Sequence, residues 1–186
     1  MSDLILLWLI LALGISWALG AYKRLMRLRS QRIAAFAALE VLLTQQASVV
    51  RTPLAPASDP ESEHAASQKD DAFALGWAEL MRATAQFNAS LKATHAKPLD
   101  GPTVGALRAT HDAMCTSWGR LRDLPPDLAG PALPQTLHAQ WEQLALQVQV
   151  ARADFNRRVA NYNAAIAQFP ALVLARMAGF QPAQPI

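Results

Sequence analysis

An uninterrupted apolar stretch near the start of the chain constrains the fold more than any other feature. No side chain from Leu4 to Ala21 is charged. At a rise of about 1.5 Å per residue, this stretch is about 27 Å long as a helix, close to the thickness of the hydrocarbon core of a bilayer. We therefore predict that residues 1–21 form a transmembrane anchor, with membrane-facing side chains that include Leu4, Trp8, Leu11, Trp17 and Ala21.

The charges that flank this stretch distinguish an anchor from a cleaved signal peptide. Ala18-Leu19-Gly20 resembles a small-x-small cleavage site. A signal peptide begins with basic residues and ends in a neutral segment, whereas here Asp3 precedes the apolar stretch and basic residues follow it. We expect an uncleaved, single-pass anchor followed by a juxtamembrane basic cluster, which consists of Lys23, Arg24, Arg27, Arg29 and Arg32.

The same cluster predicts how the anchor is oriented. Basic residues that flank a membrane span remain on the cytoplasmic side, so the residues after Ala21 are expected in the cytoplasm. Anionic lipid on that side attracts the cluster by roughly 1 kcal/mol for each Lys or Arg held near the surface. The simpler interpretation is a stop-transfer signal without lipid specificity.

The overall charge does not indicate a nucleic-acid partner. The chain carries a net charge of +3, but residues 1–32 alone contribute +4, which leaves −1 for residues 33–186. A nucleic-acid-binding domain needs a basic surface, so this class of partner is excluded. Cys115 is the only cysteine, which rules out an intramolecular disulfide and agrees with a reducing compartment.

Beyond the anchor, apolar residues recur at helical spacing in four segments. The first segment continues from the anchor without a proline or glycine break to about Val50. A proline-rich linker, residues 51–69, separates it from a second helix that we expect to open at Asp70-Asp71. The third helix is expected to carry Pro102 in its first turn, and the fourth to extend to Pro170.

Each of the last three helices carries one apolar stripe with steps of three and four residues. Such stripes predict an all-α fold in which the N-terminal transmembrane helix continues into an antiparallel four-helix bundle with coiled-coil-like packing. We assign residues 22–180 to the bundle and residues 181–186 to a C-terminal tail. The predicted stripes are Phe73, Trp77, Leu80, Thr84, Phe87 and Leu91; Val104, Leu107, His111, Met114, Trp118 and Leu121; and Leu137, Trp141, Leu144, Val148, Ala151, Phe155, Val159, Tyr162, Ile166 and Phe169.

An aromatic residue followed by asparagine occurs twice in the fourth helix, at Phe155-Asn156 and Tyr162-Asn163. Seven residues are almost two helical turns, so the two pairs lie on one face. The aromatic residues fall on the apolar stripe, and the asparagines lie at its border. A buried amide there must form hydrogen bonds, so we expect register-setting bonds to a neighbouring helix or loop; solvated polar edges are the alternative.

These pairs begin a longer pattern that resembles the carboxy-terminal signature of the LemA family. In that signature, two aromatic-Asn pairs are followed by Phe-Pro and then Gly-Phe. Here the later elements are Phe169-Pro170 and Gly179-Phe180. The helix after the anchor is also similar in type to the family, whereas residues 47–135 carry no family motif, so the chain resembles a divergent member.

The resemblance implies a bacterial protein with one amino-terminal membrane helix and a helical bundle, and with no established enzymatic activity. It supplies no catalytic or cofactor-binding residue to carry over. Architecture explains the signature: Phe169-Pro170 ends the helix, and Gly179-Phe180 turns the tail so that an aromatic ring folds back onto the bundle.

The residues offer little chemistry of their own. His111 and Cys115 are four residues apart on one helical face beside Asp112, a spacing that can chelate zinc or copper, but two ligands do not make a site. The sequence has no phosphate-binding glycine loop, no HExxH and no G-x-S-x-G motif. We therefore predict neither a catalytic site nor a cofactor or metal, and we expect that the protein is not an enzyme.

Small residues recur at four-residue spacing inside the anchor, at Ala12, Ser16 and Gly20. Such a stripe permits close approach of a second helix, so a homo-oligomer is one expectation. The alternative is that these small residues simply face lipid.

These features favour a function in protein interaction or scaffolding at the bacterial inner membrane, with the bundle in the cytoplasm. The protein contacts membrane lipid, and the sequence does not identify its protein partner. Tethering raises the effective concentration of whatever the bundle binds. One alternative is a periplasmic bundle that acts in the envelope. Another is a bundle that binds a small ligand or a metal through His111 and Cys115.

Overall fold

The computed structural model describes residues 2–51, 66–98, 100–124, 133–168, 171–177 and 179–186. Within them the chain forms helices and no β-strand, which confirms the predicted all-α class. The helices are α1 (Ser2–Val49), α2 (Ala66–Ala96), α3 (Gly101–Arg122), α4 (Gln135–Ala167) and α5 (Ala171–Met177).

Helix α1 is a single helix of 48 residues, about 72 Å long. Its first part is apolar and uncovered: Leu4, Trp8 and Trp17 are all more than half exposed. Among the described helices, only α1 is long and apolar enough to cross a membrane. The predicted anchor is therefore confirmed as a candidate span; the side chain of Leu11 lies outside the described part.

The helices pack as two close pairs, α1 against α4 and α2 against α3. In the first pair, Phe36 contacts Phe155 while Arg32 contacts Tyr162, so the two helices run antiparallel. In the second pair, a hydrogen bond from Thr94 to Thr103 lies at the end where α2 finishes and α3 begins.

Side chains join the two pairs into one bundle. The Trp118 and Trp141 rings of α3 and α4 stack with centroids 4.3 Å apart. The Nδ1 atom of His95 on α2 lies 2.8 Å from Oε1 of Glu40 on α1. Asp112 of α3 lies 3.6 Å from Arg152 of α4, so these two helices also run antiparallel. Successive helices therefore alternate in direction, which is the predicted antiparallel arrangement.

The predicted apolar stripes face the core. All six stripe positions of α3 are buried, and the stripe positions of α2 and of the described part of α4 are buried or half-buried. Phe169 is the one predicted stripe residue outside the described residues. The periodicity of three and four residues thus identified the correct face of each helix.

The start of α2 differs from the prediction, whereas the start of α3 agrees with it. Helix α2 begins at Ala66, four residues before Asp70-Asp71, because residues 66–69 contain no helix breaker and the acidic pair only extends a helix already formed. Helix α3 has Asp100 as its N-cap, whose carboxylate accepts from the Thr103 N–H at 3.2 Å, and Pro102 lies in its first turn.

The end of the bundle holds an element that the sequence did not predict. Helix α4 ends at Ala167, and the short α5 follows at Ala171; Phe169 and Pro170 lie outside the described residues. Residues 179–186 form an extended segment that packs on α4, where Ala183 and Ile186 are buried. The predicted tail is therefore part of the packed body.

Candidate functional site

The two aromatic residues of the signature are core residues. The rings of Phe155 and Phe36 meet edge to face with centroids 6.0 Å apart, which ties α4 to α1. The guanidinium carbon of Arg32 lies 4.4 Å from the centroid of the buried Tyr162 ring. These rings therefore fix the face of α4 from which the neighbouring asparagines project.

Both asparagines of the signature bind the main chain of the tail. Nδ2 of Asn163 donates to the Ala183 carbonyl oxygen at 2.9 Å, and the Ala183 N–H donates to Oδ1 of Asn163 at 2.8 Å. Asn156 binds Ile186 in the same way, with bonds of 2.8 and 2.9 Å. The expected hydrogen bonds of these amides are confirmed, but they join α4 to the tail, not to a helix.

The spacing of the asparagines matches the spacing of the tail. Seven residues along α4 correspond to about 10.5 Å, and three residues of an extended chain correspond to about 9 to 10 Å. Asn163 and Asn156 can therefore each pair with a tail residue only if the tail is extended and runs antiparallel to α4. This geometric match accounts for the seven-residue repeat of the aromatic-Asn pairs.

Further contacts complete this site, which we call the tail clasp: Arg152, Asn156, Tyr162 and Asn163 around residues 181–186. Nε of Arg152 donates to the main-chain oxygen of Ile186 at 2.7 Å. The Tyr162 hydroxyl donates to the Gln181 carbonyl oxygen at 3.2 Å. All of these bonds use main-chain groups of the tail.

Gly179 and Phe180 form the turn that leads into the tail, as the signature implied. Gly179 has a φ of +68°, a conformation that glycine adopts without strain, and the Phe180 N–H then donates to the Ala175 carbonyl oxygen at 2.9 Å. The Phe180 ring contacts Tyr22 of α1 with centroids 6.3 Å apart. An aromatic ring thus folds back onto the bundle at its membrane-proximal end.

The juxtamembrane basic cluster divides into an exposed and a buried part. Lys23, Arg24 and Arg27 are exposed and have no carboxylate partner among the described residues, whereas Arg29 is half-buried. Arg32 is only 3% exposed, and burial lowers the pKa of its guanidinium. Arg32 therefore packs inside the bundle on Tyr162 and is not available to lipid, which corrects its assignment to an accessible basic surface.

The His111 and Cys115 pair is engaged within the core. Nε2 of His111 donates to Oε1 of Gln46 on α1 at 3.0 Å, and the imidazole packs against the Phe87 ring. Cys115 Sγ lies 3.7 Å from Nε2, and burial raises the pKa of the thiol to about 11. In the described part of the chain, no third His, Cys, Asp or Glu completes a metal-binding group with this pair.

The buried imidazole predicts a pH dependence of stability. Burial, with a smaller effect of Arg152, lowers the pKa of His111 although Asp112 opposes the shift. Below about pH 6.5 the unfolded chain therefore binds a proton that the folded chain does not, so stability falls with falling pH, by at most about 1.4 kcal/mol per pH unit.

We expect His111→Gln, which keeps an amide donor for Gln46, to lose less stability than the wild type between pH 7 and pH 5. Urea unfolding of both chains in the same detergent, at both pH values, measures the difference. Equal losses would show that the imidazole does not carry this pH dependence.

The described part of the surface includes two grooves that bear on the predictions. One, of about 420 Å³, lies where α1 emerges from its apolar part and is lined by Ser16, Gly20 and Arg24 with the start of α5. Two members of the predicted small-residue stripe are thus uncovered, and self-association stays a prediction. The other, of about 450 Å³, is apolar and lies between Leu42 of α1 and Leu146 and Val150 of α4; we call it the α1–α4 groove.

The sequence identified part of the tail clasp. It singled out Asn156, Tyr162 and Asn163 but neither their partners in the tail nor Arg152. The available signal was the pair Pro182 and Pro185, whose three-residue spacing favours an extended segment that can follow a helix in register.

The comparisons with known proteins agree with the signature. A model of the LemA family matches residues 100–185, from the N-cap of α3 to the tail, and so includes the whole tail clasp except Ile186. No curated protein and no solved structure matches the chain significantly. The resemblance inferred from the aromatic-Asn pairs is thereby confirmed: residues 100–185, which contain both pairs, are similar to the LemA family.

Proposed function

We propose that this LemA-family protein is a non-catalytic, membrane-anchored bundle that acts in protein interaction or scaffolding at the bacterial inner membrane, with the bundle in the cytoplasm. The observation that carries the proposal is the continuity of α1, which runs as one helix from the apolar segment into the core of the bundle. A bundle coupled in this way is held at a fixed height above the bilayer.

This coupling provides a mechanism that needs no chemical step. From Tyr22 to Leu42 the helix rises about 30 Å, so the α1–α4 groove lies well clear of the lipid surface. Val150 is 72% exposed and Leu146 is 65% exposed beside that groove. Exposed apolar surface of this kind is typical of protein–protein contacts. Because the bundle is tethered, it binds its partner at the membrane surface.

Site-specific photo-crosslinking in intact cells tests the interaction. A photoreactive residue at Leu146 and, separately, at Val150 is expected to capture the same protein, whereas the matched control at the exposed Lys92 of α2 should not. An anchor-only chain controls for crowding in the membrane. If both groove positions give only the products of the Lys92 and anchor-only controls, the proposed interaction at this surface is wrong.

Reporter fusions test the orientation. Green fluorescent protein joined after Ile186 through a flexible linker should fluoresce, and alkaline phosphatase at the same position should be inactive, because the exposed basic residues Lys23, Arg24 and Arg27 hold their end of the span in the cytoplasm. The opposite pair of results would place the bundle in the periplasm, as the envelope alternative requires.

A further inference from the structure

The tail clasp has the properties of a peptide-binding site. Asn156 and Asn163 each use both ends of the amide to bind the N–H and C=O of a single tail residue. Tyr162 and Arg152 add one bond each to main-chain oxygens of the tail. Because all six bonds go to main-chain groups, the clasp recognises an extended backbone in a fixed register.

The tail sequence is suited to that register. Proline fixes its own φ and disfavours helical conformation in the preceding residue, so Pro182 and Pro185 hold residues 181–185 extended before docking. In an extended chain with three residues per turn, Ala183 and Ile186 lie on one face. Neither residue is proline, so both retain the N–H that the asparagines bind.

The clasp also restricts side chains. Ala183 and Ile186 are 9% and 4% exposed, so these positions accept a small and an aliphatic residue. The Gln184 side chain lies against the start of α3, where a Cβ atom on Gly101 would come within 3.2 Å of it. The segment that fits therefore has the pattern proline, small residue, any long polar residue, proline, aliphatic residue.

The tail reaches the clasp as a tethered ligand would. Among the described residues, the turn at Gly179 precedes it after α5, and residues 181–186 lie in no helix or strand. A segment held in this way can leave and return without any change in the helices that bind it.

We propose that the tail clasp is a binding site for extended, proline-containing segments of other protein chains, and that the chain's own tail occupies it in competition with them. The inference rests on the proposed interaction function and names the class of ligand for one surface. A partner segment can bind only where the tail has left Asn156 and Asn163 free. Its apparent affinity is therefore its intrinsic affinity multiplied by the fraction of chains in which the clasp is open.

The probe is a fluorescent peptide with the sequence of residues 179–186, added to the full chain in lipid nanodiscs. One chain variant carries Ala183→Pro, which removes the N–H that Asn163 binds and so weakens the internal competitor. A second variant carries Gly and Ser in place of residues 181–186, which removes the competitor altogether. A third combines this replacement with Asn156→Leu and Asn163→Leu.

We expect the peptide to bind both tail variants at least about tenfold more tightly than the wild type. Binding should disappear in the third variant, and also for a peptide N-methylated at the positions of Ala183 and Ile186. Fluorescence anisotropy measures all of these affinities. If the peptide does not saturate the tail-replaced chain, or binds equally well without the two asparagines, the proposal is wrong; crosslinking at Leu146 is independent of that result.

Discussion

Replacing Trp118 with alanine is expected to lower the free energy of unfolding by about 3 to 5 kcal/mol. The indole is only 2% exposed and stacks on Trp141 with an interplanar angle of 14°. This stack joins α3 to α4, so alanine leaves a cavity between the two close pairs of helices.

Trp118→Phe is the matched control. The Trp118 Nε1–H is buried without a hydrogen-bond partner among the described residues, so phenylalanine removes an unsatisfied donor while it retains most of the stack. We expect a loss below about 1.5 kcal/mol for this variant. Denaturation in detergent, followed by far-ultraviolet circular dichroism of the helices, measures both changes. A loss below 1 kcal/mol for alanine would mean that the ring is not central to the bundle.

The sequence predicted the parts of this fold that depend on local periodicity. The stripe of α3, from Val104 to Leu121, faces the core as expected, because a helix with one apolar face has only one way to bury it. The start of α3 was predictable for the same local reason, since Pro102 fits the first turn of a helix. The uncharged run before Ala21 identified the candidate span by length alone.

The parts that the sequence did not predict depend on contacts between distant segments. Arg32 belonged by position to a basic cluster, but the antiparallel register of α1 and α4 brings it under Tyr162. The asparagines were recognised as hydrogen-bonding groups, yet their partners lie 20 and 30 residues further along the chain. A tail without periodicity gives no local sign of where it docks, and an amide at a stripe border can equally well face water.

In this chain the tail clasp connects the two asparagines of α4 to the glycine turn and the residues after it. Both asparagines can bind the tail only if Gly179 reverses the direction of the chain. The tail must also be extended, so that it spans the distance from Asn163 to Asn156. Losing any of these elements leaves the others without a partner. In this chain these elements thus form one interaction between groups up to 30 residues apart.

Removing both asparagines is expected to have the largest local effect in the molecule. In the double variant Asn156→Leu and Asn163→Leu the side-chain volume is kept, but four hydrogen bonds are lost. The N–H groups of Ala183 and Ile186 and the Ala183 carbonyl oxygen then have no partner on α4, whereas Arg152 still donates to the Ile186 oxygen. At about 1 kcal/mol for each bond, protection of the two tail amides against hydrogen exchange should fall by about 100- to 1000-fold.

The same variant should change global stability much less, because the tail can detach at Gly179 while the helices stay packed, so the effect on global unfolding cannot exceed the free energy of tail docking. Asn88→Leu is the matched control: Asn88 is half-buried on α2, and its Nδ2 has no partner among the described residues. It should leave tail protection unchanged. Hydrogen exchange measured by mass spectrometry on the full chain separates these outcomes, because a structural asparagine of the bundle would lower protection throughout α4, whereas a clasp lowers it in the tail alone.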